Sequence, residues 1–248
     1  MMARKYFEVI YQLLRTLEDS QQESISRAAD LIADSMAHGG VVHIHDTGHI
    51  LTHEAVGRAG GPLFVAPLSF GVNVANPVTH PRGKKPRKTS IENRLLLVRH
   101  VLDLSNVEPG DVLIIGSVSG TTCEVVELAI EGRKRGVKCI AFTTLSYATA
   151  PGVQSEHPSG LYLYQVCDVC INHPGEIGDA ALEVPGLDAK VCPTSGITAV
   201  CAFWAVIGEA MLKLTERGVV PSVLRKVHIE GAEDFNAKMK ERYELLGY

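Results

Sequence analysis

The sequence predicts an α/β fold: one parallel sheet covered by helices on both faces, three layers in all. Three observations carry this. Short apolar runs rich in Val, Ile and Leu recur along the 248 residues, at 41–45, 63–68, 112–116, 138–143 and 161–171. Stretches with apolar residues at helical spacing separate most of them. Strands alternating with helices imply parallel pairing through crossovers, and such sheets need cover on both faces.

Each element follows from local chemistry. Val9, Leu13, Leu17, Ile25, Ala28, Ala29, Ile32 and Met36 form an apolar stripe on one long or two consecutive helices, stopped by Gly39-Gly40. Val41 to His45 reads as a β-branched strand running into the turn Asp46-Thr47-Gly48-His49. A helix from about Ile50 to Arg58 ends at Gly60-Gly61-Pro62, and Leu63 to Leu68 is a second strand. Residues 73–90 mix Pro77, Pro81 and Pro86 with Arg82, Lys84, Lys85, Arg87 and Lys88 and have no apolar period. Such long loops in compact domains tend to be functional. A helix is expected over Ile91 to Leu104, a strand from Val112 after Pro109-Gly110, a helix over Cys123 to Arg135, and a strand over Lys138 to Thr143. A loop over 146–160 leads to a strand over 161–171, and a second loop fills 172–190. The helix Ser195 to Arg217 carries Ala199, Phe203, Val206, Ile207, Ala210, Met211 and Leu214 on one stripe, read as core or dimer interface. A charged helix from about Asp234 closes the chain. The organisation is a helical segment (1–40) packing on the domain or on a dimer partner, an α/β domain (41–217) and a tail (218–248).

Bulk properties exclude several classes. Hydrophobic residues make up 46% and charged residues 21%, and the formal net charge is −4. That balance gives no reason to expect nucleic acid or an anionic membrane as partner. No uninterrupted apolar run reaches membrane-spanning length, and the N-terminus lacks a signal peptide's apolar region, so a cytoplasmic protein is expected. Six cysteines in apolar surroundings read as reduced thiols. Cys167 and Cys170 match C-x-x-C, but on a strand they would point to opposite faces and share neither metal nor disulfide.

The most informative segment is Ser117-Val118-Ser119-Gly120-Thr121-Thr122, between a buried strand and a helix. Free N–H groups and the helix dipole at such a junction hold anions, and neutral hydroxyls favour a phosphate. In a flavodoxin-like sheet of order 2-1-3-4-5, the first and third strands adjoin at the switch point where ligands bind. That order sets the turn Asp46-Thr47-Gly48-His49 beside the hydroxyl loop.

The stretch from Gly110 to Thr122, with the following helix and the strand Lys138 to Thr143, resembles the sugar isomerase (SIS) domain family. Thr47-Gly48-His49, Arg58-Ala59-Gly60-Gly61, Gly178 to Glu183 and Pro193-Thr194-Ser195 are similar to a branch of phosphoheptose-like phosphosugar isomerases. The resemblance implies a phosphorylated sugar, with Ser117, Ser119, Gly120, Thr121 and Thr122 around the phosphate, and a homodimer or higher oligomer whose partner completes the site. The family usually has Gly-x-Gly-x-Ser in the first turn. Here Asp46 replaces the first glycine and Ile50 the serine, which leaves the identity of the ligand open.

Isomerisation through an enediol needs a base and a hydroxyl-proton shuttle. Glu92, at a helix start, and His49, over the crevice, are the candidate catalytic residues; Thr47, Gly48, Asp179 and Ser195 are candidate sugar contacts. Glu92 fits a helix-dipole charge better than a base, and Asp179 fits a turn or N-cap as well as a contact. Three other readings stay open. One is a lyase or etherase on an amino-sugar phosphate, and one is a sensor without catalysis. The third is a metal-dependent hydrolase using His43, His45, Asp46, His49, His53 and Glu54, although no metal or redox cofactor is expected. No DNA-binding segment is read beside the domain, which disfavours a transcription regulator.

Overall fold

The computed structural model describes residues 1–47, 51–74 and 89–248. Five parallel strands, β1 (Val42–Asp46), β2 (Val65–Pro67), β3 (Val112–Gly116), β4 (Lys138–Thr143) and β5 (Val169–Asn172), form one sheet in the order β2-β1-β3-β4-β5. This is the order of the flavodoxin-like fold expected for the chain.

Helix α1 (Met2–Ala37) is a single continuous helix. Its apolar stripe, including Ile25, Ala28, Ala29 and Ile32, is buried. It ends where Gly39 takes the left-handed φ of +83° and Gly40 N–H returns to Ser35 O at 2.9 Å. Helix α7 (Ser195–Glu216) packs along α1, and together they cover one face of the sheet, where Val42, Ile44, Ile114, Ile140 and Phe142 meet Phe203 and Ile207. Helices α3 (Ile91–Leu104) and α4 (Cys123–Lys134) cover the other face, where Leu113, Ile115, Cys139 and Ala141 meet Val98 and Val126. Strand residues therefore alternate between two dry layers, as buried parallel strands do. Among the described residues, α7 alone is long and apolar enough to cross a membrane, with a mean hydropathy of 1.7 in its most apolar window. Its Ala202, Phe203, Val206 and Ile207 lie instead in this core.

Three segments depart from the sequence reading. The strand expected over 161–171 is shorter, because 163–166 form a helical turn, α6 (Leu163–Val166), and only β5 is extended. Tyr162 N–H is held by Gln165 Oε1 at 2.9 Å and Leu163 N–H by Gly120 O at 2.9 Å, so two hydrogen bonds outweigh the alternating Leu-Tyr pattern. Cys167 precedes β5 and Cys170 lies on it; both are free thiols. Burial pushes Cys170 up to about 12 and Cys167 well above its usual value, so both stay protonated and inert. A short helix, α5 (Leu145–Ala148), begins the expected 146–160 loop. The helix after β1, α2 (Leu51–Ala55), is shorter than expected. Helix α8 (Ala232–Leu246) closes the chain. The basic stretch Lys84 to Lys88 lies outside the described residues.

Candidate functional site

The carboxyl ends of β1 and β3 meet at the switch point. Thr47 N–H and Oγ1 both donate to Gly116 O, at 3.2 and 3.4 Å, so the two polar turns lie side by side. Gly48 and His49 lie outside the described residues.

The loop after β3 is pinned by its carbonyls. Val118 O accepts from Thr144 N–H and Thr143 Oγ1, both at 2.9 Å; Gly120 O accepts from Leu163 N–H and Thr121 O from Glu156 N–H, each at 2.9 Å. Gly120 sits at φ +60°, and a β-carbon there would meet Thr143 Oγ1 at 3.0 Å and Leu163 Cβ at 3.1 Å. Only glycine satisfies both constraints. With these three carbonyls engaged, the balance of the loop shifts toward donors. The first-turn N–H groups of α4 have no intrahelical acceptor, and the dipole adds positive potential there. Ser117 is buried, and its Oγ accepts Gly120 N–H at 3.3 Å, which leaves its own proton to donate. Ser119 Oγ and Thr121 Oγ1 share a hydrogen bond of 2.8 Å. Thr122 caps α4, yet its hydroxyl makes no capping bond. Among the described residues, Thr122 Oγ1 is the one buried side-chain polar atom without a partner.

A charged group that the sequence reading missed walls this loop. Arg94, in the first turn of α3, donates to both carboxylate oxygens of Glu124 at 2.5 Å and to Glu156 Oε2 at 2.8 Å. The Arg94 bond holds Glu124 below the usual carboxylate pKa, and the Glu124 bond raises Arg94 in turn. A second residue is His45, the fourth residue of β1, which the sequence offered only as a metal ligand. Its Nδ1 lies 2.9 Å from Leu68 O, and its ring stacks on Phe70 with centroids 4.7 Å apart and 17° between planes. A third is His173, just after β5, buried with Nδ1 at 3.2 Å from Thr144 Oγ1 and 3.4 Å from Thr198 Oγ1. Their partners lie 23 to 29 positions away, and no local motif marks them. The alternation of His43 with His45 was the only available signal, and it points to a shared face.

The expected residues are only partly gathered. Thr47, Ser117, Ser119, Gly120, Thr121 and Thr122 come together at the switch point. Glu92 is exposed in the first turn of α3, beyond Ser90, whose Oγ caps Asn93 N–H at 3.2 Å. Asp179 and Ser195 meet each other at the start of α7. Asp179 Oδ1 accepts Ser195 N–H at 2.8 Å and Thr194 N–H at 3.0 Å, and Ser195 Oγ donates to Oδ2 at 2.6 Å. Of the histidine and carboxylate set read as a metal alternative, His43 bonds Asp111 at 3.0 Å and Glu54 pairs with Arg58 at 2.9 Å. Among the described residues, no three His, Cys, Asp or Glu side chains gather as a metal site.

The SIS domain profile matches residues 5–144. A UPF0309 protein of Streptomyces avermitilis is 33% identical over 248 residues, covering 98% of this chain and 95% of that protein. A UPF0309 protein of Geobacillus kaustophilus is 29% identical over 250 residues, covering 98% and 94%. Among solved structures, the phosphoheptose isomerase GmhA of Neisseria gonorrhoeae superposes with a TM-score of 0.53 at 17% identity, over 84% of this chain and 96% of its own. A phosphoheptose isomerase of Francisella tularensis gives 0.55 at 14%, over the same shares. At these identities the two superpositions speak for the fold.

Proposed function

This chain belongs to the SIS domain family and groups with its UPF0309 members, and on that premise we propose that it binds a phosphorylated sugar and isomerises it through an enediol. The observation that carries the reading is the Thr122 hydroxyl, buried without a partner at the N-terminus of α4. Such a group costs about 1–3 kcal/mol, and native proteins seldom keep one without a use. A phosphate oxygen on the α4 N-terminus accepts from it, from Ser117 and from the Ser119–Thr121 pair, with Gly120 allowing close approach. The names of the two phosphoheptose isomerases of this fold support the ligand class.

Thr47, Gly48 and His49 then line the sugar from the first turn, with Asp179 and Ser195 at the α7 end. Glu92 is assigned the carbon-bound proton, with His49 as its acid–base partner. The protein is read as a cytoplasmic homodimer without a redox cofactor. Exposed Ile197, Cys201, Ala205 and Leu212 along one edge of α7 support the dimer, since a helix apolar on all sides is ordinarily covered on all sides.

A thermal-shift screen of hexose, heptose and amino-sugar phosphates tests the reading, because a ligand that binds only the native state raises the melting temperature. A shift with wild type that disappears in the Ser117→Ala, Ser119→Ala double variant is expected. A shift undiminished in that variant refutes the phosphate site.

A further inference from the structure

We propose that His45 is the hydroxyl-proton shuttle of this site, a neutral imidazole presenting the Nε2 lone pair to the sugar. The inference rests on the isomerase reading above and gives the hydroxyl protons to His45 in place of His49, leaving His49 as a sugar contact.

The tautomer follows from geometry. Leu68 O is an acceptor only, so the 2.9 Å contact requires the proton on Nδ1. Nε2 then carries the lone pair, and it accepts no hydrogen bond from any described residue. Stacking on Phe70 fixes the ring plane. His45 pairs across the sheet with Ile115, two positions before Ser117, on the face covered by α3 and α4. Its side chain is therefore presented beside the start of the phosphate loop. The charges facing it are Asp46 on its own strand and Glu124 on α4, the latter held by Arg94 of α3. Burial lowers the pKa of His45, against the opposing pull of the Leu68 carbonyl, Asp46 and Glu124. The resting ring is thus neutral at pH 7, while two carboxylates stand ready to stabilise a transient imidazolium.

The step balances without an added reagent. The base takes the proton on C2; that C–H pair becomes the C1=C2 bond, and the carbonyl pair moves to O1. Nε2 takes the O2 proton and delivers it to O1, and the proton on the base returns to C1 as C2=O forms. Aldose becomes ketose with no net change in protons or electrons, and both the base and His45 return to their starting forms.

The test uses the full chain and the same sugar-phosphate panel. His45→Gln should retain the wild-type thermal shift while isomerisation falls about 10²-fold or more, the usual worth of a positioned acid–base group. The wild-type kcat/KM should fall only at a pH below the ordinary imidazole value of about 6.5, where the depressed His45 takes a proton and loses the lone pair, and the variant should lack that limb. Histidine ¹⁵N NMR, assigned by the same variant, should show Nδ1–H and a bare Nε2 at pH 7 without any ligand. An unchanged rate, an unchanged acid limb, an Nε2–H tautomer or a cationic ring at pH 7 would each overturn the assignment. If no sugar phosphate shifts or is isomerised by wild type, the isomerase reading fails and the shuttle with it, whereas a wrong tautomer removes only His45.

Discussion

The two ends of the sheet treat the same kinds of side chain in opposite ways. At the amino end, His43 Nε2 meets Asp111 at 3.0 Å, and Asp111 also accepts the N–H groups of Val41 and Glu108, both at 2.8 Å. Both oxygens of that carboxylate are engaged. At the carboxyl end, two residues along the same strand and on the same face, His45 has one nitrogen bonded, and Thr122 Oγ1 on the neighbouring element has no partner. One end is saturated and holds β1 against β3; the other keeps unspent donors and acceptors. Polar residue type alone therefore does not mark the site. The balance of hydrogen bonds does.

That contrast can be broken from either side. Asp111→Ala strands the buried His43 and two part-buried backbone N–H groups and should cost about 3–5 kcal/mol in chemical denaturation. His45→Gln should cost under half as much, and equal losses would erase the distinction between the ends. Gly120→Ala forces a left-handed φ and a 3.0 Å contact, and should cost about 1–2 kcal/mol while weakening ligand shifts. Thr122→Val should go the other way: removing an unpaired buried hydroxyl is expected to raise ligand-free stability by up to about 1 kcal/mol and to abolish ligand stabilisation. A destabilised Thr122→Val protein that still binds would show the hydroxyl to be structural. The smallest effect is in pH dependence. His45 has a lowered folded pKa, so the unfolded chain binds its proton first as pH falls below about 6.5. Stability therefore declines from there down to the folded pKa. The slope should be shallower in His45→Gln than in wild type.

The fold was legible where local signals agree. Ser90 caps α3, and Pro109-Gly110 and Gly136 punctuate β3 and β4, so those three elements match to the residue. The strand order came with the flavodoxin-like fold, since no window of sequence contains it. The 161–171 segment was misread because an alternating pattern competes with the bond from Leu163 to Gly120, 43 positions earlier, which no sequence window contains. The candidate site divides the same way. The hydroxyl loop is contiguous and could be read directly. Arg94 meets Glu124 across 30 positions and His45 meets Leu68 across 23, so each looks like an ordinary helix or strand residue until the chain is folded. Asp179 fitted an N-cap or a ligand contact equally well; its carboxylate accepts the Thr194 and Ser195 N–H groups at the start of α7, 15 and 16 positions away, a pairing that no local propensity marks.

The packing of α1 on α7 has a consequence for synthesis. Tyr6 OH reaches Pro193 O at 2.7 Å and Lys213 Nζ reaches Asp30 at 2.6 Å, so α1 is completed by a helix made much later. At about 5–20 residues per second, Ile25, Ala28, Ala29 and Ile32 wait on the order of 10–40 s before α7 leaves the ribosome. During that interval the nascent chain shows an apolar helix face to the cell. This protein should therefore engage a chaperone as it emerges, and its yield should depend on translation speed through the codons of α7 and those just after it.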